Sequence, residues 1–351
     1  MAHSGVKGKL MRDLIALQQK IAPELIELLE RRYTILRHVS HSQPVGRRML
    51  ANILKLGERI VRSELDFLKA QGLLEGEPSG VTLTDEGENL ISQLADFIKY
   101  LKGIHEIEIN LREQFRLGSV IVVPGNSDED ELVKKEMGRA AARYLVEIMG
   151  DRSVIAVTGG TTVNEVADAV PVSFVPHNVL VVPARGGLGE NVEMQANTIA
   201  ARIAKKLMAQ YRLLHVPDNI VEDAVKSLEK DPHIREITRT IKSADILLHG
   251  IGNAEELSIS RGDTLEGTCR LIESGAVGEA FGHYFARDGT IVRTIHSLGI
   301  RLNDLKNIKH VIGVAGGKKK ADAIMSVVSN GYETVLITDE AAAKLMLKNK
   351  L

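Results

Sequence analysis

The first hundred residues place their hydrophobic side chains at helical spacing. One stripe repeats at steps of three and four residues and consists of Leu10, Leu14, Leu17, Ile21, Leu25 and Leu28. It suits docking on this part of the chain or on a partner subunit. Residues 33–39 predict a further helix, and residues 46–54 and 58–70 predict a helical pair joined by a tight turn at Leu56-Gly57.

The second helix of that pair is amphipathic, with a predicted buried side at Ile60, Val61, Leu65 and Leu68. Its opposite face follows the spacing i, i+3, i+4 and i+7 and carries Arg59, Arg62, Ser63 and Asp66. Arginines near the start of a helix that follows a tight turn fit a recognition helix in a DNA major groove. Arg47 and Arg48 on the preceding helix would contact phosphates.

Two short strands around a Gly/Pro turn are predicted next, over residues 72–84. A strand pair directly after a recognition helix is typical of a winged helix. The tip of this wing, residues 75–80, carries acidic side chains, so we do not expect it to bind phosphate strongly. The alternative is a solvated helical hairpin whose charge is incidental.

Residues 85–116 predict one long helix with a narrow apolar stripe at Leu90, Leu94, Phe97, Leu101 and Ile104. The stripe suits pairing with a second copy in a dimer, which matches two-fold half-sites in DNA. Docking onto the second domain is the other interpretation.

The pattern changes after Ser119 to short β-branched runs, Gly-rich turns and helical stretches. Six strands are predicted, at residues 120–123, 154–157, 179–182, 245–249, 311–314 and 334–337. Helical patterns separate most of them, which predicts an α/β doubly wound, mainly parallel sheet. The expected organisation is an all-α winged helix-turn-helix domain (1–88), a linker helix (89–116) and a larger domain for ligand binding and oligomerisation (117–351).

Charge strengthens the DNA interpretation. Residues 31–69 contain nine Lys/Arg and three Asp/Glu, a net +6 in a chain whose total charge is −1. A positive segment of this density suits a polyanion. The longest apolar runs have strand length and no signal-peptide pattern is present, so we expect a cytoplasmic protein without a membrane segment. Cys269 is the single cysteine, which excludes an internal disulfide.

Three Gly-rich segments follow predicted strands. Thr158-Gly159-Gly160-Thr161-Thr162 opens a helix, so backbone N–H groups and hydroxyls converge there as an anion site requires. Residues 315–320, Ala-Gly-Gly-Lys-Lys-Lys, repeat the arrangement after what we take to be a neighbouring strand. In the third, residues 183–190, Arg185 suits a second phosphate. The spacing of a nucleotide-hydrolysing P-loop is missing.

Catalytic groups are not evident from spacing. His249, His283 and His296 are scattered and lack metal-ligand spacing, so structural roles are favoured. Glu279, between an apolar pair and a glycine, suits a carboxylate that accepts sugar hydroxyls. A buried structural carboxylate is the equally good alternative.

The order of these segments resembles the sorbitol-operon regulator (SorC) family of bacterial sugar-responsive repressors, related to the DeoR type. The resemblance covers nearly the whole chain. It is most specific at Arg31-Arg32-Tyr33-Thr34-Ile35-Leu36, Thr82-Leu83-Thr84-Asp85-Glu86-Gly87 and Glu279-Ala280-Phe281-Gly282. It implies a homo-oligomeric repressor of glycolytic genes, dimeric or tetrameric, whose affinity for operator DNA is lowered by fructose-1,6-bisphosphate. No cofactor is implied.

The resemblance also implies roles for particular residues. The cradle for one phosphate would consist of Gly159, Gly160, Thr161, Thr162 and Lys320. The clamp on the other phosphate would consist of Arg185, Gln195 and Arg261, and Glu279 would accept sugar hydroxyls. Lys318 and Lys319 are additional basic residues beside the lysine of the motif.

The second domain is also similar to the glucosamine-6-phosphate deaminase and ribose-5-phosphate isomerase fold. Those enzymes place an acid and a histidine shortly after a Gly-x-Gly, where this chain reads Gly250-Ile251-Gly252-Asn253-Ala254-Glu255-Glu256. The general acid/base pair is therefore missing, and no enzymatic activity is expected. The alternative is an isomerase or deaminase with an appended nucleic-acid module, using Glu255, Glu256 or Glu279 as base. An RNA-binding adaptor is less favoured, because no aromatic residues alternate with the basic ones.

Overall fold

The computed structural model describes residues 20–172, 177–187 and 191–349, with the side chain of Ser92 excepted. The chain divides into two compact units, Met1–His105 and Glu106–Leu351. Among the described residues, no helix combines the length and the apolar character that crossing a membrane requires.

The first unit is a winged helix. Its elements in order are α1 (Pro23–Ser42), α2 (Arg47–Leu54), α3 (Glu58–Ala70), β1 (Leu74–Glu77), β2 (Gly80–Leu83) and α4 (Asp85–Leu101). The segment predicted as a helix at residues 33–39 is the buried second half of the longer α1. Ile35, Leu50, Val61 and Leu68 are almost fully buried and form its core with neighbouring aliphatic residues.

The wing is anchored to the segment between α1 and α2. β1 and β2 pair antiparallel, with Leu74 opposite Leu83, and Val45 adds a bridge to Val81. Gly80 permits this approach, because a Cβ there would lie 2.7 Å from the backbone carbonyl of Val45. The wing is therefore fixed against the helices that precede it.

The single long helix expected over residues 85–116 is wrong. The structure has two helices, α4 and α5 (Ile104–Phe115), and Gly103 between them adopts a left-handed φ of 64°. The expected apolar stripe is not open for pairing as predicted: Ile98 and Leu101 pack with Tyr33 of α1 inside the first unit, and Leu94 and Phe97 pack against the same cluster.

The N-terminal stripe is only partly visible. Leu10, Leu14 and Leu17 lie outside the described residues. Ile21 and Leu25, which continue the stripe, are 82% and 60% exposed, so at these two positions it is not docked on the first unit.

The second unit is built on a seven-stranded sheet in which every pairing is parallel. Its strands are β3 (Ser119–Val123), β4 (Val154–Val157), β5 (Leu180–Pro183), β6 (Gln210–Tyr211), β7 (Ile246–Gly250), β12 (His310–Val314) and β13 (Val335–Asp339). All six predicted strands are present, and the two-residue edge strand β6 is an addition. The spatial order is β3-β13-β12-β7-β4-β5-β6.

Helices cover this sheet, as a sheet of near-continuous Val, Ile and Leu requires. The helices of the second unit are α5, α6 (Glu131–Ile148), α7 (Thr161–Ala169), α8 (Ala196–Lys206), α9 (Glu222–Leu228), α10 (Pro232–Lys242), α11 (Ala254–Ser260), α12 (Leu265–Glu273), α13 (Ala321–Ser329) and α14 (Glu340–Lys348). Among them, α11, α12 and α13 pack on a small antiparallel sheet. Ile155, Leu248 and Ile337 from three strands are fully buried, with Leu145 of α6 and Ile203 of α8 in the same cluster.

A small antiparallel sheet, which the sequence pattern did not predict, lies beyond β7. It consists of β8 (Gly252–Asn253), β9 (Ala276–Ala280), β10 (His283–Ala286) and β11 (Ile291–Thr294), in the order β11-β10-β9-β8. Gly278 of β9 packs against α13, where a Cβ would lie 2.7 Å from the carbonyl oxygen of Ala323 and would also overlap Ser326 Oγ.

The strand order fixes where a ligand can bind. The chain runs from β4 outward to β5 and β6, and then returns to β7 on the other side of β4. Parallel sheets bind ligands at the carboxyl ends of the strands beside such a reversal. The Gly-rich segment after β4 and the Gly250-Ile251-Gly252 segment after β7 lie on the two sides of this point.

We expect Gly278→Ala to lower the melting temperature of the full chain by about 5 °C, because the added methyl group displaces β9 from α13 at a cost of about 2 kcal/mol. Circular dichroism on heating measures this. Gly150→Ala is the matched control, since its Cβ would meet only Ser153 Oγ at an ordinary 3.8 Å. Equal melting temperatures for the two variants would show that β9 and α13 are not closely packed.

Candidate nucleic-acid interface and anion site

The exposed face of α3 carries the predicted reading residues. Arg59, Arg62 and Ser63 are exposed, while Val61, Leu65 and Leu68 are buried. Ile60 was expected on the buried side but is 43% exposed. The reason is geometric: residue 60 lies 100° around the helix from Val61, and Glu64 takes the buried position toward α1 instead.

Glu64 neutralises part of the positive charge that residues 31–69 carry. Its carboxylate accepts from Arg31 Nε at 3.0 Å and from Arg32 Nε at 2.8 Å. Arg37 is also buried, in α1. The basic side chains that remain on the surface of the segment are Arg47, Arg48, Lys55, Arg59, Arg62 and Lys69. The positive surface is therefore smaller than predicted and is concentrated around α2 and α3.

These surface arginines are held only loosely. Arg47 and Arg48 lie 3.9 and 3.6 Å from the carboxylate of Glu58, and Arg62 lies 3.8 Å from that of Asp66. Exposed pairs at such distances contribute little to stability. The arginines can exchange these carboxylates for phosphates or base edges at small cost. Glu75 and Glu77 are exposed in the wing, as expected from its acidic tip.

In the second unit, the segment Thr158–Thr162 forms the turn from β4 into α7. Gly160 is the N-cap of α7 with φ 114°, and its N–H donates to the carbonyl of Met194 at 2.9 Å. Gly159 packs so closely on this neighbour that a Cβ would lie 2.6 Å from the same oxygen. The contact places Gln195, the next residue, beside the start of α7. Thr161 is exposed at the helix N-terminus, and Thr162 is buried.

The segment after β12 turns at Gly317, where φ is 97°, and residues 318–320 form a short 3-10 turn before α13. Asp339 at the end of β13 accepts from the N–H of Gly317 at 2.7 Å, and Asp128 accepts from the N–H of Lys319 at 3.0 Å. Lys318 and Lys319 are exposed, whereas burial lowers the pKa of the Lys320 ammonium, an effect that nearby Glu256 opposes.

The sequence analysis predicted that the two Gly-rich turns follow neighbouring strands, and this prediction is wrong. β7 lies between β4 and β12, so the turns are about 10 Å apart along the edge of the sheet. Arg185 follows β5, on the far side of β4. The structure thus places the segment 159–162, Arg185 and Lys320 after β4, β5 and β12, whereas Arg261 follows α11 and Glu279 lies in β9 of the small sheet.

Arg185 and Arg261 belong to one buried charge cluster. Arg185 Nη2 donates to Asp218 Oδ1 at 2.9 Å, and Arg261 Nη2 donates to Glu279 Oε1 at 2.9 Å. Arg261 Nη1 also lies 3.6 Å from Asp218 Oδ2. Glu279 Oε1 accepts a second bond, from the N–H of Gly282 at 2.7 Å. The two arginines are therefore linked through one shared carboxylate.

The turn between β9 and β10 accommodates this cluster. The guanidinium of Arg185 occupies the space that a Cβ on Gly282 would need, so residue 282 has to be glycine here. Its φ of 80° favours glycine as well. The Glu-Ala-Phe-Gly motif seen in the sequence is thus the turn that brings Glu279 and Gly282 against the two arginines.

The surroundings of the cluster are desolvated. Burial, with a smaller contribution from Arg185, lowers the pKa of His283 to about 4, so its imidazole is neutral at physiological pH. Within the part of the chain that the structure describes, Arg261 Nε and Nη1 have no hydrogen-bond acceptor. Buried guanidinium N–H groups without an acceptor mark a place where an anionic ligand would be stabilised.

Sequence reasoning did not identify Asp218, whose surroundings, Val216-Pro217-Asp218-Asn219, look like an ordinary turn. It also left His249 without a partner. His249 is fully buried, its Nε2 lies 3.0 Å from Glu333 Oε2, and its ring contacts Phe281 edge to face. Asn197 exchanges two hydrogen bonds with the backbone of Leu214, so it fastens a loop.

Comparison with known proteins supports both units. Residues 28–98 match the family model "CggR N-terminal DNA binding domain", and residues 99–348 match "Putative sugar-binding domain". The chain is 46% identical to the central glycolytic genes regulator of Priestia megaterium, over 97% of this chain and 99% of that protein. It is 42% identical to the protein of that name from Bacillus subtilis, over 97% of this chain and 100% of that protein.

Similar solved structures include regulators of the SorC group. A putative SorC family transcriptional regulator from Enterococcus faecalis matches with a TM-score of 0.64 and 36% identity, over 69% of this chain and 100% of that chain. The full-length sorbitol operon regulator of Klebsiella pneumoniae matches with a TM-score of 0.63 over 90% of this chain and 98% of that chain. At 20% identity the second likeness shows the fold alone.

We expect the imidazole of His283 to titrate near pH 4 in the folded protein, against 6.5 for an ordinary histidine. Because the unfolded chain then binds the proton more readily, acidification below pH 6.5 destabilises the protein through this residue. NMR titration measures the pKa, and unfolding of His283→Gln between pH 7 and 5 should show a weaker pH dependence. The exposed His215, changed to Gln, is the control. Titration of His283 near pH 6.5 would contradict its burial.

Proposed function

The chain belongs to the family of central glycolytic genes regulators, within the SorC group, and we propose that it represses glycolytic genes and releases operator DNA when it binds fructose-1,6-bisphosphate. The resemblance seen in the sequence is confirmed by the relatives that match over nearly the whole chain. We propose further that it acts as a homo-oligomer, a dimer or a tetramer, because a two-fold assembly suits operator half-sites.

The DNA-binding proposal rests on the exposed face of α3. Arg59, Arg62 and Ser63 lie together at the start of that helix, and Arg47 and Arg48 lie on α2, which precedes it. A helix of this kind inserts its N-terminal residues into the major groove, and the preceding helix contacts the backbone. In this proposal Arg59, Arg62 and Ser63 read base edges, and Arg47 and Arg48 bind phosphates.

The effector proposal is carried by one observation: a glycine-rich helix N-terminus and Arg185, which shares Asp218 with Arg261, follow neighbouring strands of one sheet. Such an arrangement offers two separate places for anionic groups. We assign one phosphate to Gly159, Gly160, Thr161, Thr162 and Lys320, and the other to Arg185, Gln195 and Arg261. Glu279, which already holds Arg261, would in addition accept sugar hydroxyls.

The enzymatic alternative is disfavoured by the residues after β7. Asn253 caps α11 by accepting from the N–H of Glu255 at 2.9 Å, so the position after Gly-x-Gly serves the helix. Glu255 and Glu256 are exposed, and Glu279 is bonded to Arg261. The relatives are named as transcriptional regulators, and the chain is accordingly a transcriptional regulator rather than an enzyme.

Arg59→Ala and Arg62→Ala should each weaken operator binding by about tenfold, because each removes a contact to a base edge. Fluorescence anisotropy with operator DNA measures this at fixed salt. Arg139→Ala, which removes an exposed arginine from α6, is the matched control. Arg59→Ala and Arg62→Ala should both bind the effector as the wild type does. If both of these variants bind the operator as tightly as the wild type, α3 is not the recognition helix.

Lys320→Ala and Thr161→Val should each weaken fructose-1,6-bisphosphate binding by about tenfold, since each loses a charge-assisted contact to phosphate. Calorimetric titration measures the affinity, and operator binding without effector should stay unchanged. Lys319→Ala is the control, because its ammonium is exposed beside the same turn. Fructose-6-phosphate should bind more weakly than the bisphosphate. Equal affinities for the two sugars would contradict a site for two phosphates.

A further inference from the structure

Asp218 contacts both arginines that the proposed function assigns to the second phosphate. Its Oδ1 accepts from Arg185 Nη2 at 2.9 Å and from Arg185 Nε at 3.3 Å, and its Oδ2 lies 3.6 Å from Arg261 Nη1. The three side chains are each less than a tenth exposed. A carboxylate and a phosphate offer guanidinium groups the same kind of oxygen acceptor. Asp218 therefore occupies the partners that a phosphate at this place would need.

The charge of the cluster points the same way. Arg185 and Arg261 carry two positive charges, and Asp218 and Glu279 carry two negative ones. His283 adds no charge at neutral pH, because burial and Arg185 hold its pKa at about 4. A phosphate entering this balanced, desolvated cluster would leave negative charge uncompensated, which is costly. Without the Asp218 carboxylate, two guanidinium groups face one carboxylate, and an anion would be compensated.

Asp218 neutralises Arg261 without satisfying its hydrogen bonds. The distance of 3.6 Å from Arg261 Nη1 to Asp218 Oδ2 exceeds a hydrogen bond, and Arg261 Nε and Nη1 have no acceptor among the described residues. Of the Arg261 nitrogens, Nη2 alone donates to Glu279 among the described residues. A phosphate offers more oxygens than a carboxylate and can satisfy groups that Asp218 leaves unbonded. The exchange of Asp218 for phosphate would thus gain hydrogen bonds.

The backbone around Asp218 permits such an exchange. The N–H of Asp218 donates to Gly187 at 2.7 Å, and the N–H of Gly187 donates to Val216 at 2.9 Å. Pro217 and Asn219, on either side, are exposed. The carboxylate is therefore buried while its chain neighbours lie at the surface, so Asp218 can turn outward without moving the sheet.

We propose that Asp218 is an internal competitor, which holds Arg185 and Arg261 in the ligand-free protein and is displaced by a phosphate group of the effector. The identity of the effector as a sugar bisphosphate rests on the proposed function, whereas the competition concerns any phosphate monoester at these two arginines. The apparent affinity for effector is then reduced by the fraction of molecules in which Asp218 is docked, so Asp218 sets the concentration at which the regulator responds.

The test compares Asp218→Asn with Asp223→Asn in the full chain. Asp223 is the matched control, because it lies five residues away and its side chain is 96% exposed. The first probe is inorganic phosphate, read as the rise in melting temperature on titration. The second is fructose-1,6-bisphosphate, read by calorimetry. We expect phosphate to stabilise Asp218→Asn more than the wild type, and the bisphosphate to bind that variant about tenfold more tightly.

The outcomes separate this inference from the proposed function. A phosphate response of Asp218→Asn that equals or falls below that of the wild type would overturn the competition, whatever the bisphosphate does. A larger phosphate response in this variant, together with a wild type that does not bind the bisphosphate, would leave the competition supported and refute the effector assignment.

Two more variants keep the test decisive if Asp218→Asn folds poorly. Pro217→Gly retains every charge of the cluster but loosens the segment that carries Asp218, and it should strengthen phosphate binding by about two- to threefold. Asp218→Glu retains the competing charge and should show no gain. A gain in Asp218→Glu as large as that in Asp218→Asn would assign the effect to packing and overturn the inference, as would unchanged binding in Pro217→Gly.

Discussion

The second unit depends on how two buried arginines are neutralised. A guanidinium group cannot be deprotonated, so Arg185 and Arg261 need negative partners wherever the fold removes them from water. Asp218 and Glu279 supply the charge, from a loop between β6 and α9 and from the small antiparallel sheet. The cluster therefore ties the edge of the parallel sheet to two segments that are distant in sequence. Gly282 belongs to the same constraint, because the turn of the small sheet has to leave room for Arg185.

In the first unit one buried charge is a carboxylate, Glu64, and two partly exposed arginines neutralise it. Glu64 on α3 takes Arg31 and Arg32 of α1, which fixes the rotation of α3 about its axis. With Glu64 turned inward, Arg59, Arg62 and Ser63 face solvent. The internal ion pairs thus neutralise some of the positive charge, and they also determine which way the remaining arginines of α3 face. The basic surface that a polyanion meets is set by which arginines are left over, and a count of charges along the sequence overstates it.

Local patterns predicted much of the fold, because they report on local physics. Helix α3 and the six longer strands of the parallel sheet follow from periodicity and from runs of β-branched residues. Ile60 and the helix break at Gly103 were missed, since burial at the edge of a helical face and a single left-handed glycine depend on tertiary packing. The strand order was beyond local patterns too: no spacing reveals that β7 separates β4 from β12. Asp218 was invisible for the same reason, because nothing near it in the sequence indicates that it meets Arg185.

A ligand changes the state of a regulator only through a difference in its affinity for two states. A cluster that is already neutral provides such a difference, because a ligand anion must replace an internal one. When the anion replaces Asp218, the loop from Val216 to Asn219 loses its ion pairs to Arg185 and Arg261, so binding and loop position become linked. A site lined only by unpaired cations would bind phosphate more tightly but would have no internal group to release. In this proposal the balanced cluster binds phosphate less tightly than unpaired cations would, but binding changes the position of the loop. An effector site in a transcriptional regulator requires such a coupled change.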